Sequence, residues 1–374
     1  ACMNVHGYAA PEVMRAFGRA WELCSLVDAD EDAATFPVLF GIWIYQLTRG
    51  QHARAAEAAA DLLQRVQHVD DQGARIAGQL AQAISLAHMG RPSEARVHFA
   101  TGTAMCGSLS QPGQAQRFGL HPGICLLAYQ GWCLTTLGYP EQARRSVEQS
   151  AASVDDSDHI YTHARRLYWQ AVVYQMQGDW QTVRRLAAEA IAVAEEQGYA
   201  MVVACGHIMH GAAVAATGDV DAGISELREG IRAYRETGAR FQGTYHLALL
   251  ADALDSGSHL QEGHASLDEA FALMEETGER LCEPDLHRLR GKLLRHQRSD
   301  DAAEASLQEA LAVARQQNAR WPELRASRDL ARLWAERGER QRVLDLLAPV
   351  YAWFTEGFDT PDLVEAKALL DELR

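Results

Sequence analysis

The sequence has no apolar run of the roughly 18 residues that a bilayer-crossing helix needs, and it has only 10 prolines in 374 residues. Its start, "ACMNVHGYAAPEVMRAF", lacks a basic stretch leading into an apolar core and does not read as a signal peptide. The seven cysteines are odd in number, scattered, and contain no C-x-x-C, which argues against a disulfide framework and for buried reduced thiols. No G-x-x-x-x-G-K-[ST] phosphate loop occurs, nor a pair of strand aspartates for a cyclase metal site. Ser and Cys residues have no matching base nearby in sequence, so nucleophilic catalysis has no support. A net charge of −15 argues against nucleic acid as a partner of the whole surface. The expectation is a cytoplasmic protein without cofactor, catalytic site or membrane contact.

Ala, Leu, Glu, Arg and Gln dominate, a composition that favours helix. Gly50, Gly90, Gly138, Gly178, Gly218, Ser258, Arg298 and Gly338 head equivalent segments, spaced 40 residues apart except for one step of 48. Closing turns keep the same step at Gly198, Gly238, Gly278 and Asn318, and Asn is the usual substitute for Gly at a left-handed C-cap. Seven residues before the heads stand small residues such as Ala83, Gly131, Ala171, Gly211 and Gly291. Five after them stand others, among them Ala55, Ala95, Ala143, Gly223 and Ala303. Small residues twelve apart across a turn let two antiparallel helices approach closely. Each unit is therefore a helical hairpin, helix A before the head and helix B after it. One hairpin cannot bury both faces, so neighbours must stack.

This column pattern resembles the tetratricopeptide repeat (TPR), with a 40-residue period in place of the usual 34. The six extra residues are expected to lengthen helix B. Long-repeat superhelices of this kind are similar to the ligand-sensing domain of the maltose-regulon activator and related signal-transduction ATPases. The stretches "HGYAAPEVMRAFGRAWEL" (6–23), "LGYPEQAR" (137–144), "LHRLRGKLL" (286–294) and "LLAPVYAWFTEGFDTPDLVEAKALLDEL" (346–373) resemble the C-terminal TPR region of large bacterial predicted ATPases. In those proteins the region follows a STAND-like ATPase domain, often with a class III nucleotide cyclase or a winged-helix domain. The resemblance implies an all-α, right-handed superhelical solenoid serving as a regulatory or interaction module.

One solenoid is expected over residues 1–374. Residues 1–35 read as a partial repeat, the helix B of a hairpin from a longer chain. Eight hairpins follow over 36–352, with a loop insertion at 105–123. A capping helix spans 360–374, with Thr360 as N-cap, Pro361 at N1, and Leu363, Ala366, Leu370 and Leu373 on one face. His159 and His163 have the i, i+4 spacing of metal ligands, but Asp158 as a helix N-cap explains the acidic cluster beside them without metal. Trp43, Trp169 and Trp334 are expected in the core.

The TPR resemblance maps the concave face onto helix A positions 13, 10, 6, 3 and 2 before each head. In the first two full repeats these are apolar, among them Phe40, Ile44, Leu47, Leu80 and Ile84. In the middle they include Trp132, Arg165, Tyr168, Tyr245 and Asp252. Toward the end they include Arg288, Lys292, Arg295, Arg325, Arg328 and Arg332. Residues 285–342 carry a net charge of +4 while the rest carries −19. Two readings stand: a solvated face of salt-bridged arginines, or an open basic strip that clamps carboxylate or phosphate. The function expected is binding of a protein or peptide partner, of acidic character, or of a small anionic effector, reported to an attached ATPase or cyclase. The alternatives are a free-standing assembly scaffold and a small-molecule sensor.

Overall fold

The computed structural model describes residues 7–26, 35–106, 113–152, 159–257 and 259–373. Nineteen helices and no strand occur among these residues. Sixteen helices pair into eight hairpins in an all-α superhelical solenoid. They are α2 (Thr35–Thr48) with α3 (His52–Val66), α4 (Gln72–His88) with α5 (Pro92–Met105), and α7 (Pro122–Thr136) with α8 (Pro140–Ala152). Next come α9 (Ile160–Met176) with α10 (Trp180–Gln197), α11 (Ala200–Ala216) with α12 (Val220–Glu236), and α13 (Gly243–Ser256) with α14 (Leu260–Thr277). The last are α15 (Glu283–His296) with α16 (Asp300–Gln316) and α17 (Arg320–Glu336) with α18 (Arg340–Trp353). Outside the pattern stand α1 (Pro11–Leu26), the short α6 (Gln114–Phe118) and α19 (Pro361–Glu372).

The repeated Gly-Asp pair has a mechanical reading. Gly178 and Gly218 take positive φ and end helix A, and Asp179 and Asp219 then accept hydrogen bonds from the third residue of helix B. Arg298 and Asn318, which replace glycines in the pattern, still adopt φ of 59° and 56°. Ser258 and Asp158 lie outside the described residues. The small-residue columns do meet: a Cβ on Gly211 would stand 2.9 Å from the Gly223 carbonyl oxygen. Helix B alone does not absorb the longer period, however. Helices α11 and α12 have 17 residues each, because extending both lengthens their shared seam equally.

The solenoid closes on itself after about four and a half repeats. Four heads of the first superhelical turn, Gly50, Gly90, Gly138 and Gly178, lie against Arg240, Arg280, Arg320 and Pro361 of the second. Backbone bonds follow the same register. Arg240 N donates to Thr48 O at 2.8 Å, and Arg280 N donates to His88 O at 2.7 Å. Trp321 Nε1 donates to Met176 O at 3.1 Å. The last carbonyls of helix A, which have no partner within their own helix, are thus satisfied by the next turn. A buried polar knot adds to this closure. His88 Nδ1 lies 2.9 Å from Glu279 Oε1, Thr244 Oγ1 donates to Glu279 Oε2 at 2.7 Å, and His52 stacks on His88.

Closure also fills the axis of the first turn. Phe40, Ile44, Leu47, Leu80 and Ile84, expected to line an open apolar groove, are all buried. The insertion contributes to this filling, since Phe118 of α6 meets Phe40 edge-on and Leu120 is buried; residues 107–112 of the insertion lie outside the described set. Trp43, Trp169 and Trp334 sit in the core. At the other end α19 packs on α17 and α18 and buries Leu363, Ala366, Leu369 and Leu370. Thr360 precedes it, but its hydroxyl donates to Gly357 O rather than capping the helix. Glu356 accepts from the backbone amides of Glu141 and Gln142, capping α8 from the far end of the chain.

Two outcomes follow from inter-turn closure. Gly138→Ala and Gly338→Ala both force a left-handed residue, at a cost of about 1 kcal/mol. Only position 138 faces the second turn, where a Cβ would stand 2.6 Å from Trp353 and 2.9 Å from Arg320. Gly138→Ala should therefore lose roughly 1–3 kcal/mol more in denaturant titration. The second outcome concerns acid. Burial pushes His52 down to about 4 and His246 to about 3. Burial works to raise Glu279, but its hydrogen bond and charge interaction with His88 outweigh this and bring it to about 2. All three are depressed, so in acid the unfolded state binds protons that the folded state refuses. Stability should be full above about pH 6.5 and fall as pH drops toward 4, with His52 alone contributing on the order of 3 kcal/mol. His52→Phe should flatten that part of the stability–pH curve.

Candidate binding groove

Where the second turn passes the open end of the first, a cavity of about 460 Å³ remains. Its floor is aromatic. Trp132 of α7 and Tyr245 of α13 stand 5.5 Å apart between ring centres, and the Tyr245 hydroxyl donates to Gln175 Oε1 at 2.8 Å. Its wall is built by helix A of the last three repeats and by α19, which bring Asp252, Lys292, Arg288, Asp285, Arg325, Arg328, Asp329, Arg332, Asp362 and Glu365 to one surface. Residues 40 apart on stacked helices lie side by side, which is why Asp252, Lys292 and Arg332 form a row.

Every expected cation on this wall has a carboxylate partner. Lys292 Nζ lies 2.7 Å from Asp252 and 3.5 Å from Asp255. Arg288 bridges Asp285 at 3.0 Å and Asp329 at 3.1 Å. Arg325 meets Asp362 at 2.9 Å and also donates to Met176 O at 2.7 Å. Arg328 pairs with Asp329, Asp362 and Glu365, Arg332 with Glu365, and Arg295 with Glu336. The open basic strip is therefore absent: six cations face seven carboxylates. The physical reason is desolvation, since Arg288 and Arg328 are only 10% exposed and a guanidinium that deep requires a counter-charge. Burial works to raise Asp329, but Arg328, Arg288 and Lys292 outweigh it and hold the carboxyl well below its usual range.

The pairs differ in what they can do. Arg288, Arg328, Asp329 and Asp362 form a buried lattice that sets the wall's shape. Lys292 with Asp252, and Arg332 with Glu365, form a rim whose side chains are 31–43% exposed. Exposed pairs open at a cost of about 1 kcal/mol or less, so the rim can exchange its partners for those of a ligand. The groove is thus an aromatic floor between rim charges of both signs.

Of the candidate residues, Trp132, Tyr245, Asp252, Arg288, Lys292, Arg325, Arg328 and Arg332 line this cavity. Arg295 stands outside it, on its pair with Glu336. Tyr168 is buried at the axis, where its hydroxyl donates to Gln242 at 3.1 Å. Arg165 occupies a separate chamber. Sequence reasoning missed Asp329, Asp362 and Glu365. Asp329 adjoins Arg328 in the chain, while the other two become neighbours only when α19 folds over α17. Elsewhere His159 caps α9, His163 accepts a hydrogen bond from Arg166, and His207 and His210 share Glu226. Among the described residues no three His, Cys, Asp or Glu gather as metal ligands, and no helix is long and apolar enough to cross a membrane.

Comparison with solved structures decides the architecture. Over 97% of this chain and 59% of the other, it matches the Cut9–Hcn1 hetero-tetramer of the APC/C with a TM-score of 0.57 and 13% identity. The fold is a TPR-like solenoid. A Rap protein complexed with Competence and Sporulation Factor matches over 91% of this chain and 99% of its own, with a TM-score of 0.57 and 11% identity. The human IFIT1 dimer with PPP-AAAA matches over 96% and 77%, at 0.51 and 12%. No family model matches the chain. An uncharacterised protein of Rhizobium meliloti (strain 1021) is 23% identical over 316 residues, 84% of this chain. The match spans only 30% of that protein's length.

The wall's two kinds of ion pair separate by mutation. Asp329→Asn leaves two buried guanidinium groups short of a counter-charge and should cost about 3–5 kcal/mol in denaturant titration. Arg332→Met, at the rim, should cost about 1 kcal/mol or less, because its half-exposed partner Glu365 keeps Arg328.

Proposed function

We propose that this chain is a non-catalytic binding module that takes an extended peptide, or an extended segment of a partner protein, across the Trp132–Tyr245 floor. The observation that carries the reading is the groove itself: aromatic side chains at its base, rim charges of both signs, and a rigid ion-paired wall behind them. A peptide backbone presents donors and acceptors along its length and side chains to alternate sides. A floor that accepts apolar side chains, flanked by separable Lys–Asp and Arg–Glu pairs, suits that chemistry. Complete pairing of the six cations withdraws the charge argument for an acidic partner. A solved Rap solenoid of the same fold holds the Competence and Sporulation Factor, and another holds the Phr* peptide, which supports peptides as the ligand class.

The larger setting we infer is a sensor or interaction region of a signalling ATPase or nucleotide cyclase. Support comes from the resemblance of residues 346–373 to the TPR region of such proteins. The relative's length also fits one module within a multidomain chain.

A peptide array probed with the purified chain tests the reading. Sequences that bind should lose about ten- to a hundredfold in affinity on Trp132→Ala combined with Lys292→Met, with helical content preserved. Arg288→Glu and Arg328→Glu do not serve here, because they would break the buried lattice. Bound peptides indifferent to the double variant would overturn the groove. Nucleotide turnover that copurifies with this chain through repeated chromatography would overturn the non-catalytic assignment.

A further inference from the structure

The groove is blind at its base. Trp132 packs against His88, edge-on at 5.4 Å between ring centres, and against Trp169 at 5.3 Å, while Tyr245 packs against His246 at 5.9 Å. All three of these neighbours are 1% exposed, so the filled axis of the first turn gives a ligand no way onward. To one side the Met176 carbonyl is taken by Trp321 and Arg325, and Pro361 covers Gly178. The accessible edge is the rim, with the Lys292–Asp252 and Arg332–Glu365 pairs.

Helix geometry sets the depth. Helix α15 is tied to the first turn by Arg280 N on His88 O, so Asp285, near its start, stands at floor level. Lys292 follows seven residues later, on the same helix face and about 10 Å higher. Tyr245 and Asp252 repeat that spacing on α13. An extended chain gains roughly 3.3 Å per residue, so about three residues reach from floor to rim. A segment that enters and leaves over one rim must double back within about 460 Å³. A chain end need not.

At the floor Asp285 has capacity to spare. Its side chain is 26% exposed, against 10% for Arg288 and 8% for Asp329. Oδ1 accepts from Arg288 Nε at 3.0 Å and lies 4.0 Å from Arg325 Nη1; among the described residues Oδ2 has no partner. The neighbouring guanidinium groups are committed, Arg288 to Asp285 and Asp329, and Arg325 to Asp362 and the Met176 carbonyl. Burial pushes the Tyr245 hydroxyl well up, and the charges of Arg325 and Asp285 also act on it, which sets Asp285 beside the aromatic floor. Ring faces attract cations and not anions. A free carboxylate oxygen beside aromatic rings suits an ammonium group.

We propose that the groove recognises a free amino terminus: the peptide enters end-first, its ammonium on Asp285 Oδ2 over the Trp132–Tyr245 rings, and its following residues leave past Lys292 and Arg332. This rests on the peptide reading of the groove and narrows it, because an internal segment of a partner protein has no amino terminus to offer.

The test is affinity selection by the purified chain from a random hexapeptide library, offered unmodified, N-acetylated and C-amidated. Selected peptides are sequenced by mass spectrometry and their Kd values measured by titration calorimetry. Unmodified and amidated peptides should be retained, and acetylation should weaken each at least tenfold. Asp285→Asn should cause a similar loss for an unmodified peptide and no further loss for its acetylated form, since both changes remove the same contact. The variant keeps the side chain's shape, and Arg288 keeps Asp329, so its circular dichroism should match the wild type. Affinity should also fall above about pH 8, where the α-amine loses its proton. Peptides that bind equally with and without the acetyl group, yet lose affinity on Trp132→Ala with Lys292→Met, would overturn amino-terminal recognition and leave the peptide groove standing. Selection of no peptide in any form would overturn both. Loss on amidation in place of acetylation would sink the assignment to Asp285.

Discussion

The contact of the solenoid with itself sets most of what this molecule can do. An open superhelix leaves the last carbonyls of each helix A to water and its concave face free. Here those carbonyls at Thr48, His88 and Met176 accept from the following turn, and heads without side chains bring the two turns together. The pattern of heads makes sense in this light. Gly50, Gly90, Gly138 and Gly178 lie beneath a second turn, where a side chain would collide. Positions 298 and 318 carry side chains at the same left-handed φ. A non-glycine residue there bears the conformational strain alone, and the repeat tolerates it.

Closure divides the concave face into two environments. In the first turn the axis is sealed by the segment around Tyr8, by α6 and by Leu120, and side chains that an open TPR would offer to a ligand become core. Beyond the last inter-turn contact, at Met176, the cavity persists. Apolar concave residues near the start and charged ones near the end are thus a division between filled and open, not a gradient along one surface. Trp132 and Tyr245 sit at the junction, each buried yet each bordering the cavity.

The arginines illustrate how burial chooses partners. Arg288 and Arg328 reach the low-dielectric part of the wall and take two or more carboxylates each, while at the rim Arg332 relies on half-exposed Glu365, and Lys292 on half-exposed Asp252 with buried Asp255 behind it. Arg165 follows neither course. It is surrounded by aromatic rings and neutral hydroxyls, which stabilise a cation only weakly compared with a carboxylate.

The 40-residue period, the hairpin turns, the small-residue seam and the capping helix were legible in the sequence. They depend on local rules: left-handed φ at a helix end, Asp as N-cap, and small side chains where two helices cross. Helical periodicity placed Trp132, Tyr245 and the Arg288–Lys292 and Arg325–Arg332 rows on one face of their helices, and the TPR resemblance made that face the concave one. Their charge state was not legible. Asp329, Asp362 and Glu365 neutralise the rows only after stacking brings α19 over α17. Arg165 looked like one more groove arginine until closure placed it in a chamber without acid. The superhelical pitch that decides these encounters comes from small rotations between neighbouring hairpins, summed over four and a half repeats. A periodic sequence specifies each hairpin and its contacts with its neighbours. Where residue 48 meets residue 240 is decided by the accumulated geometry alone.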